Sequence, residues 1–155
     1  MKMGIGQDSH KFLTEMSEKV CVIGGVSFPD PPGLDADSDG DVVYHAICNA
    51  ITSVTHVDIM GDIAIKLCKQ GITDSQTYLT HAKETLGPYK IAHIAIAVEG
   101  KRPRMQSSFE AIRKNVAHLL EIDVSSVGIT CTSGNSLDDC GRGIGIKCIC
   151  LITII

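Results

Sequence analysis

Four acidic or imidazole side chains and a glycine lie within the nine residues Asp37–His45 (D-S-D-G-D-V-V-Y-H). Asp8 and His10 end an alternating segment near the start of the sequence, so their side chains share one face of a predicted strand. One carboxylate and two imidazoles are typical of catalytic zinc sites, which keep a further position open. We therefore predict a metal site of Asp8, His10 and His45. Asp41, one helical turn before His45, is predicted to accept the other ring proton of His45.

Two simpler interpretations of these residues explain less. Asp35–Gly40 (D-A-D-S-D-G) matches the opening of an EF-hand loop, but the glutamate that such a loop needs at its twelfth position is Ala46 here. A helix start with solvated acids makes Ser38 or Asp39 a plausible N-cap, yet it leaves His45 unexplained. The metal site therefore accounts for more of the segment than either alternative.

A compact basic loop, Gly100–Arg104 (G-K-R-P-R), lies between a predicted strand and a predicted helix. Helix N-termini bind phosphate through free N–H groups, and arginine adds bidentate contacts. In most proteins, however, an isolated basic loop of this kind is simply exposed to solvent and binds no ligand. If the flanking strands are neighbours, however, the loop lies beside Thr130–Gly134 (T-C-T-S-G), and the combined donors suit a nucleotide phosphate.

The elements that must position these residues follow from hydrophobic periodicity. The first strand, Met1–His10, is expected to form a hairpin with a glycine-interrupted strand over Val20–Phe28, and Pro29–Gly33 is expected to be a loop. A helix then begins near Val42. The later predicted elements are a short helix near Gly61, a helix from Asp74 to Leu86, a strand over Ile91–Val98, a helix over Met105–Leu120, and strands over Val124–Thr132 and Ile144–Ile155.

This order predicts an α/β fold: a single-domain sandwich over residues 1–155 with a mostly four-stranded mixed β-sheet and helices on one face. The last strand is apolar at nearly every position, whereas a strand with one solvated face would alternate. A subunit interface is therefore expected to cover its second face.

Composition excludes several classes of function. The net charge of −4 gives no global attraction for nucleic acid, and the absence of Trp disfavours base-stacking surfaces. No apolar run reaches the roughly 18 residues of a membrane span. The start of the sequence lacks the apolar core of a signal peptide, so we expect a cytoplasmic protein. The seven cysteines are expected to be reduced and to pack as small apolar residues.

Six short motifs occur in a characteristic order: G-I-G-Q-D-S-H (Gly4–His10), I-G-G-V (Ile23–Val26), S-D-G-D-V-x-x-H-A (Ser38–Ala46), G-D-I (Gly61–Ile63), P-R-M (Pro103–Met105) and G-R-G-x-G (Gly141–Gly145). Together they resemble the 2-C-methyl-D-erythritol 2,4-cyclodiphosphate synthase family of non-mevalonate isoprenoid biosynthesis. The resemblance covers nearly the whole chain. Each motif alone is unspecific, but the ordered combination is specific.

The resemblance implies a homotrimeric lyase with active sites between subunits. It implies one Zn²⁺ per subunit on Asp8, His10 and His45, and a second divalent cation, Mg²⁺ or Mn²⁺. The implied substrate is 4-diphosphocytidyl-2-C-methyl-D-erythritol 2-phosphate, whose 2-phosphate attacks its β-phosphate and releases CMP. Arg142 would lie near the trimer axis. The implied substrate-binding residues are Ser38, Asp62, Gly100, Arg104, Met105, Thr130, Cys131, Thr132 and Ser133.

The sequence departs from the family pattern near the implied active site. Asp37 replaces the usual histidine of H-S-D-G, and Gly61–Lys69 lacks the usual phenylalanine-proline-aspartate of the lid. Asn135 lies near where a glutamate usually binds the second metal, a role that Asp138 or Asp139 could take. The alternative is a catalytically weakened relative that binds zinc and cytidine nucleotides. A third interpretation is a zinc-dependent phosphohydrolase.

Overall fold

A mixed four-stranded sheet carries the candidate site residues in the computed structural model, which describes all 155 residues. The strands, in chain order, are β1 (Lys2–Lys11), β2 (Val20–Ile23), β3 (Val26–Pro32), β4 (Ile91–Glu99), β5 (Val127–Thr132) and β6 (Gly145–Ile154). The helices are α1 (Val42–Thr55), α2 (Ala64–Lys69), α3 (Ser75–Glu84) and α4 (Phe109–Leu120). A π-helical turn over Ile59–Ile63 precedes α2, and short 3₁₀ turns cover Gln106–Ser108, Val124–Ser126 and Gly134–Ser136.

The strands of the main sheet follow the order β1-β6-β4-β5. Strand β6 runs antiparallel to β1 and β4, whereas β4 and β5 are parallel and are connected through α4. Helix α1 packs along β1 and β6, and 34 buried apolar residues form one core. The predicted α/β fold, with a mixed four-stranded sheet and helices on one face, is confirmed.

Two glycines let α1 lie unusually close to β1. A Cβ atom at Gly4 would lie 2.3 Å from the carbonyl oxygen of Ala50, and one at Gly6 would lie 2.2 Å from that of Ala46. Any larger residue would push the helix away from the strand. Residues 4, 6, 8 and 10 share one strand face, so this close approach brings α1 within reach of Asp8 and His10.

The predicted hairpin between the first two strands is wrong. Strand β1 pairs along its whole length with β6, from Lys2 opposite Ile154 to Lys11 opposite Gly145, whereas β2 pairs with β3. The long apolar β6 offers ten-residue pairing that the short β2 cannot match. The tight turn of the actual hairpin falls at Gly24 and Gly25, both at positive φ. The predicted loop over Pro29–Gly33 is also wrong, because β3 continues to Pro32 as one strand of a two-stranded pair, where proline is tolerated.

The N-cap of α1 is Asp41, and not Ser38 or Asp39 as predicted. Asp41 is fully buried, and its carboxylate accepts hydrogen bonds from the backbone N–H groups of Gly24, Gly25, Val43 and Tyr44. Burial raises the pKa of Asp41 to about 6, although the N–H groups of Gly25 and Gly24 oppose that rise. One buried carboxylate thus joins the β2–β3 turn to the start of α1.

The face of the sheet opposite the helices is apolar and exposed in the single chain. Met3, Ile5, Ile149 and Leu151 all point to this side, with Ile5 directly opposite Leu151. None of the helices has the length and apolar character that a membrane crossing requires.

Candidate metal centre and phosphate pocket

Three metal-binding atoms meet where the end of β1 faces the first turns of α1. Asp8 Oδ2 lies 2.8 Å from His10 Nε2 and 3.1 Å from His45 Nδ1. The two imidazole nitrogens are 3.3 Å apart. The structure therefore brings together the three residues that the sequence predicted as metal ligands.

The carbonyl of Asp35 determines which ring nitrogen of His10 carries the proton. His10 Nδ1 lies 3.2 Å from the carbonyl oxygen of Asp35, which can only accept a hydrogen bond. In the neutral ring Nδ1 therefore carries the proton, and Nε2 presents its lone pair towards Asp8 and His45.

His45 is oriented by two polar residues, the partly buried Asp39 and the fully buried Ser75. The Ser75 hydroxyl donates to Asp39 Oδ1, so its oxygen is free to accept from His45 Nε2–H, 2.7 Å away. Nδ1 of His45 then presents its lone pair towards Asp8. We call Asp39 and Ser75 the His45 anchor.

The predicted role of Asp41 at His45 is wrong. Both Asp41 oxygens are occupied by backbone N–H groups, whereas the ring proton of His45 goes to Ser75. Capping the helix turns the Asp41 side chain back over the first turn, away from the imidazole. Ser75 was missed because its position at the start of α3 indicated only a helix start, and no local spacing relates it to His45.

The electrostatics of the cluster favour a bound cation. Burial raises the pKa of the Asp8 carboxyl, but its interactions with the His10 and His45 rings outweigh this and leave the pKa below its ordinary value. Burial lowers the pKa of His10, but the Asp8 carboxylate raises it by more, so the pKa lies above its ordinary value. Asp8 is thus held as an anion, and a positive charge beside it is stabilised.

The donor set fits a divalent cation. Metal–ligand distances of about 2.0–2.2 Å in a tetrahedral zinc site separate the ligand atoms by roughly 3.3–3.6 Å. The three atoms here are 2.8–3.3 Å apart, so a small outward movement would admit the ion. One carboxylate oxygen and two lone pairs on proton-free nitrogens converge on one point, as a cation requires.

A cavity of about 600 Å³ opens beside the cluster. Asp37 and Ser38 line one wall, and α2 and the π-helical turn supply a more apolar wall. Asp62, predicted to bind substrate, is exposed in the π-helical turn and is not part of the lining. The remaining lining residues are Asp8, His10, Ala36, His45, Met60, Ala64, Ile65, Cys68, Lys69 and Tyr78.

A second cavity, of about 470 Å³, lies between the loop after β4 and the end of β5. Strands β4 and β5 are neighbours, which confirms the condition under which the two loops were expected to meet. The cavity shares no lining residue with the first. Thr130 lies earlier on β5, outside the lining. The lining consists of Gly100, Lys101, Pro103, Arg104, Met105, Gln106, Cys131, Thr132 and Ser133.

The acids considered for a second metal are paired with cations. Asp138 lies 2.8 Å from Lys147 Nζ, whose hydrogen bond lowers the pKa of that carboxyl to about 2. Asp139 lies 2.7 Å from a guanidinium nitrogen of Arg142. Asn135 adopts a left-handed backbone conformation in the 3₁₀ turn after β5. Either aspartate would have to give up its partner to bind a metal.

Comparisons with known proteins agree with this geometry. The model of the YgbB family matches residues 1–155. Proteins named 2-C-methyl-D-erythritol 2,4-cyclodiphosphate synthase from Chlamydia felis and Chlamydia trachomatis serovar L2 are 51% and 48% identical over 155 residues. These matches cover 99% of this chain and 88% and 87% of the two proteins. A solved IspF structure from Plasmodium falciparum, a CDP complex, has a TM-score of 0.84 at 27% identity and covers 99% of this chain and 94% of its own.

Proposed function

The chain belongs to the YgbB family, and we propose that it catalyses the reaction of 2-C-methyl-D-erythritol 2,4-cyclodiphosphate synthase. The main observation in favour of this proposal is that Asp8, His10 and His45 converge on one point beside a cavity. The enzyme is a lyase of isoprenoid biosynthesis. The reaction closes a cyclic diphosphate and releases CMP.

We propose Zn²⁺ as the cation of this site, one per subunit. Two imidazole nitrogens and one carboxylate oxygen are typical zinc ligands and leave a position open towards the cavity. A bound zinc ion would polarise phosphoryl oxygens and offset their charge. Asp8 supplies the anionic ligand, the Asp35 carbonyl fixes the tautomer of His10, and the His45 anchor fixes that of His45.

The proposed substrate is 4-diphosphocytidyl-2-C-methyl-D-erythritol 2-phosphate. Its own 2-phosphate attacks the β-phosphorus and CMP leaves, so no protein nucleophile is required. The contribution of the protein is to hold both phosphates in line. Ser38 in the first cavity can donate its hydroxyl to a phosphate, and Arg104 in the second can contact one bidentately. We propose Asp62 for a hydroxyl of the methylerythritol.

Backbone groups of the second cavity suit the cytidine end of this substrate. The stretches Gly100–Met105 and Thr130–Ser133 meet there, and the Plasmodium falciparum relative is described as a CDP complex. We propose that a second divalent cation, Mg²⁺ or Mn²⁺, binds between the phosphates of the substrate. Asp138 and Asp139 are paired with Lys147 and Arg142, so the phosphates themselves are the better source of its ligands.

We propose that the active unit is a homotrimer. The exposed apolar face of Met3, Ile5, Ile149 and Leu151 supports this, because such a face is costly to leave in water. The cavity beside Asp8, His10 and His45 and the second cavity share no residue within one chain, so a substrate that needs both could be held by two neighbouring subunits. Arg142 is proposed to lie near the trimer axis. We place the reaction in the cytoplasm, where buried thiols such as Cys48 remain reduced.

Zinc-loaded protein incubated with the cytidylated substrate and Mg²⁺ should release CMP without inorganic phosphate. His45→Ala should abolish this release, whereas His118→Ala, on the exposed face of α4, should leave it unchanged. Release of inorganic phosphate would instead indicate a phosphohydrolase. Zinc-loaded protein that binds CDP but releases nothing would contradict the proposed activity and indicate a non-catalytic relative.

A further inference from the structure

Lys19 places its ammonium group in a cage of backbone carbonyls. Its Nζ lies 2.7 Å from the carbonyl oxygen of Leu34, 2.8 Å from that of Ala36 and 2.6 Å from that of Ser38. An ammonium group has three protons to donate, and all three are used here. The backbone of Lys19 is fixed as well, because its carbonyl accepts from Gly33 N–H at 2.8 Å. Such full use of the donors distinguishes Lys19 from a solvated surface lysine.

The caged segment, residues 34–38, forms part of the wall of the metal cavity. Two of its groups contact metal ligands. The Asp35 carbonyl lies 3.2 Å from His10 Nδ1, and Ser38 Oγ lies 3.3 Å from His45 Nε2. The curvature of this segment therefore helps to set the orientation of both imidazoles.

Three acidic side chains of the same loop interact favourably with the charge of Lys19. The carboxylates of three alternate residues in this loop attract the Lys19 ammonium group: Asp35, Asp37 and Asp39. Burial lowers the pKa of Lys19, but these three carboxylates oppose that shift. Asp37 is one of these three carboxylates, so Lys19 offsets part of the negative charge at a position that departs from the family pattern.

We propose that Lys19 is a positioning residue of the metal site: it shapes the loop over residues 34–38 and so orients His10 and His45 without touching either. The inference rests on the metal site of the proposed function. Lys19 lies outside every motif recognised in the sequence.

Zinc affinity, measured by competition with a chromophoric chelator, tests the inference directly. Lys19→Met keeps the aliphatic stem and removes the donors, and it should weaken zinc binding about tenfold, as expected for losing an outer support of ligands. Lys83→Met is the matched control, because Lys83 is also partly buried and forms an ion pair, with Glu121, far from the site. It should leave zinc affinity within about twofold of the unmodified protein.

Lys19→Arg serves as the conservative variant and covers the case in which methionine prevents folding. It keeps charge and reach, but a planar fork cannot direct three donors at three carbonyls in the same way, so roughly threefold weaker zinc binding is expected. The visible absorption of the cobalt(II)-loaded variants should change in the same order. Zinc binding and cobalt spectra equal to those of the unmodified protein, in a folded Lys19 variant, would overturn the inference alone. An unmodified protein that binds no zinc would overturn the proposed function as well.

Discussion

The His45 anchor makes a quantitative prediction for Ser75→Ala. Ser75 is fully buried, and its oxygen is the nearest acceptor for His45 Nε2–H, at 2.7 Å. Its removal leaves a buried imidazole N–H without its main partner, which costs about 1–3 kcal/mol. Ser38 Oγ, 3.3 Å from the same nitrogen, remains as a weaker acceptor and places the cost near the lower end. A loss of ~1.4 kcal/mol corresponds to about tenfold weaker metal binding.

Competitive zinc titration of metal-free protein measures this loss. Thr80→Ala is the matched control, since it also deletes a hydroxyl from α3, but one that donates to Gln76 of the same helix. Its zinc affinity should equal that of the unmodified protein. If Ser75→Ala binds zinc as tightly as Thr80→Ala, the proton on His45 is not fixed by Ser75 and the assigned tautomer is wrong.

Three further predictions concern the same site and the exposed sheet face. His45→Ala should lower zinc affinity at least tenfold, and zinc content equal to that of unmodified protein would refute the site. The folded pKa of His10 lies above 6.5, so its contribution to metal-free stability is complete below about pH 6.5 and is lost as pH rises through the folded pKa. The melting temperature of metal-free protein should therefore fall as the pH rises above about 6.5, and it should fall less in His10→Gln. Equal slopes in the two proteins would contradict the His10–Asp8 pair. Leu151→Lys should dissociate the proposed trimer in sedimentation experiments. Ile72→Lys should not, although Ile72 and Leu151 are both 37% exposed. An intact Leu151→Lys trimer would argue against this interface.

The sequence predicted those features that depend on residue type and on spacing between residues close together in the chain. The two-residue spacing of Asp8 and His10 predicted their common face, and the acidic segment Asp37–His45 predicted that His45 would join them, as it does in the structure. The sheet of four strands followed from the order of apolar segments. The meeting of Gly100–Arg104 with the end of β5 was also predicted, because the two strands proved to be neighbours and a cavity lies between the loops.

Long-range pairings could not be predicted in the same way. The partner of β1 is β6, more than 130 residues later in the sequence for every pair, and nothing local to β1 indicates that choice. The ring proton of His45 goes to Ser75, 30 residues away, because Asp41 is occupied in capping α1. Lys19 looks like any surface lysine in the sequence, and only the folded loop supplies its three carbonyls.

Phosphorus NMR of the complete reaction tests the central claim most directly. Zinc-loaded protein should convert 4-diphosphocytidyl-2-C-methyl-D-erythritol 2-phosphate into CMP and one equimolar product with two mutually coupled phosphorus signals, as expected for a cyclic diphosphate. The product signals should not form with His45→Ala. Appearance of inorganic phosphate, or of a product with uncoupled phosphorus signals, would contradict the proposed intramolecular attack.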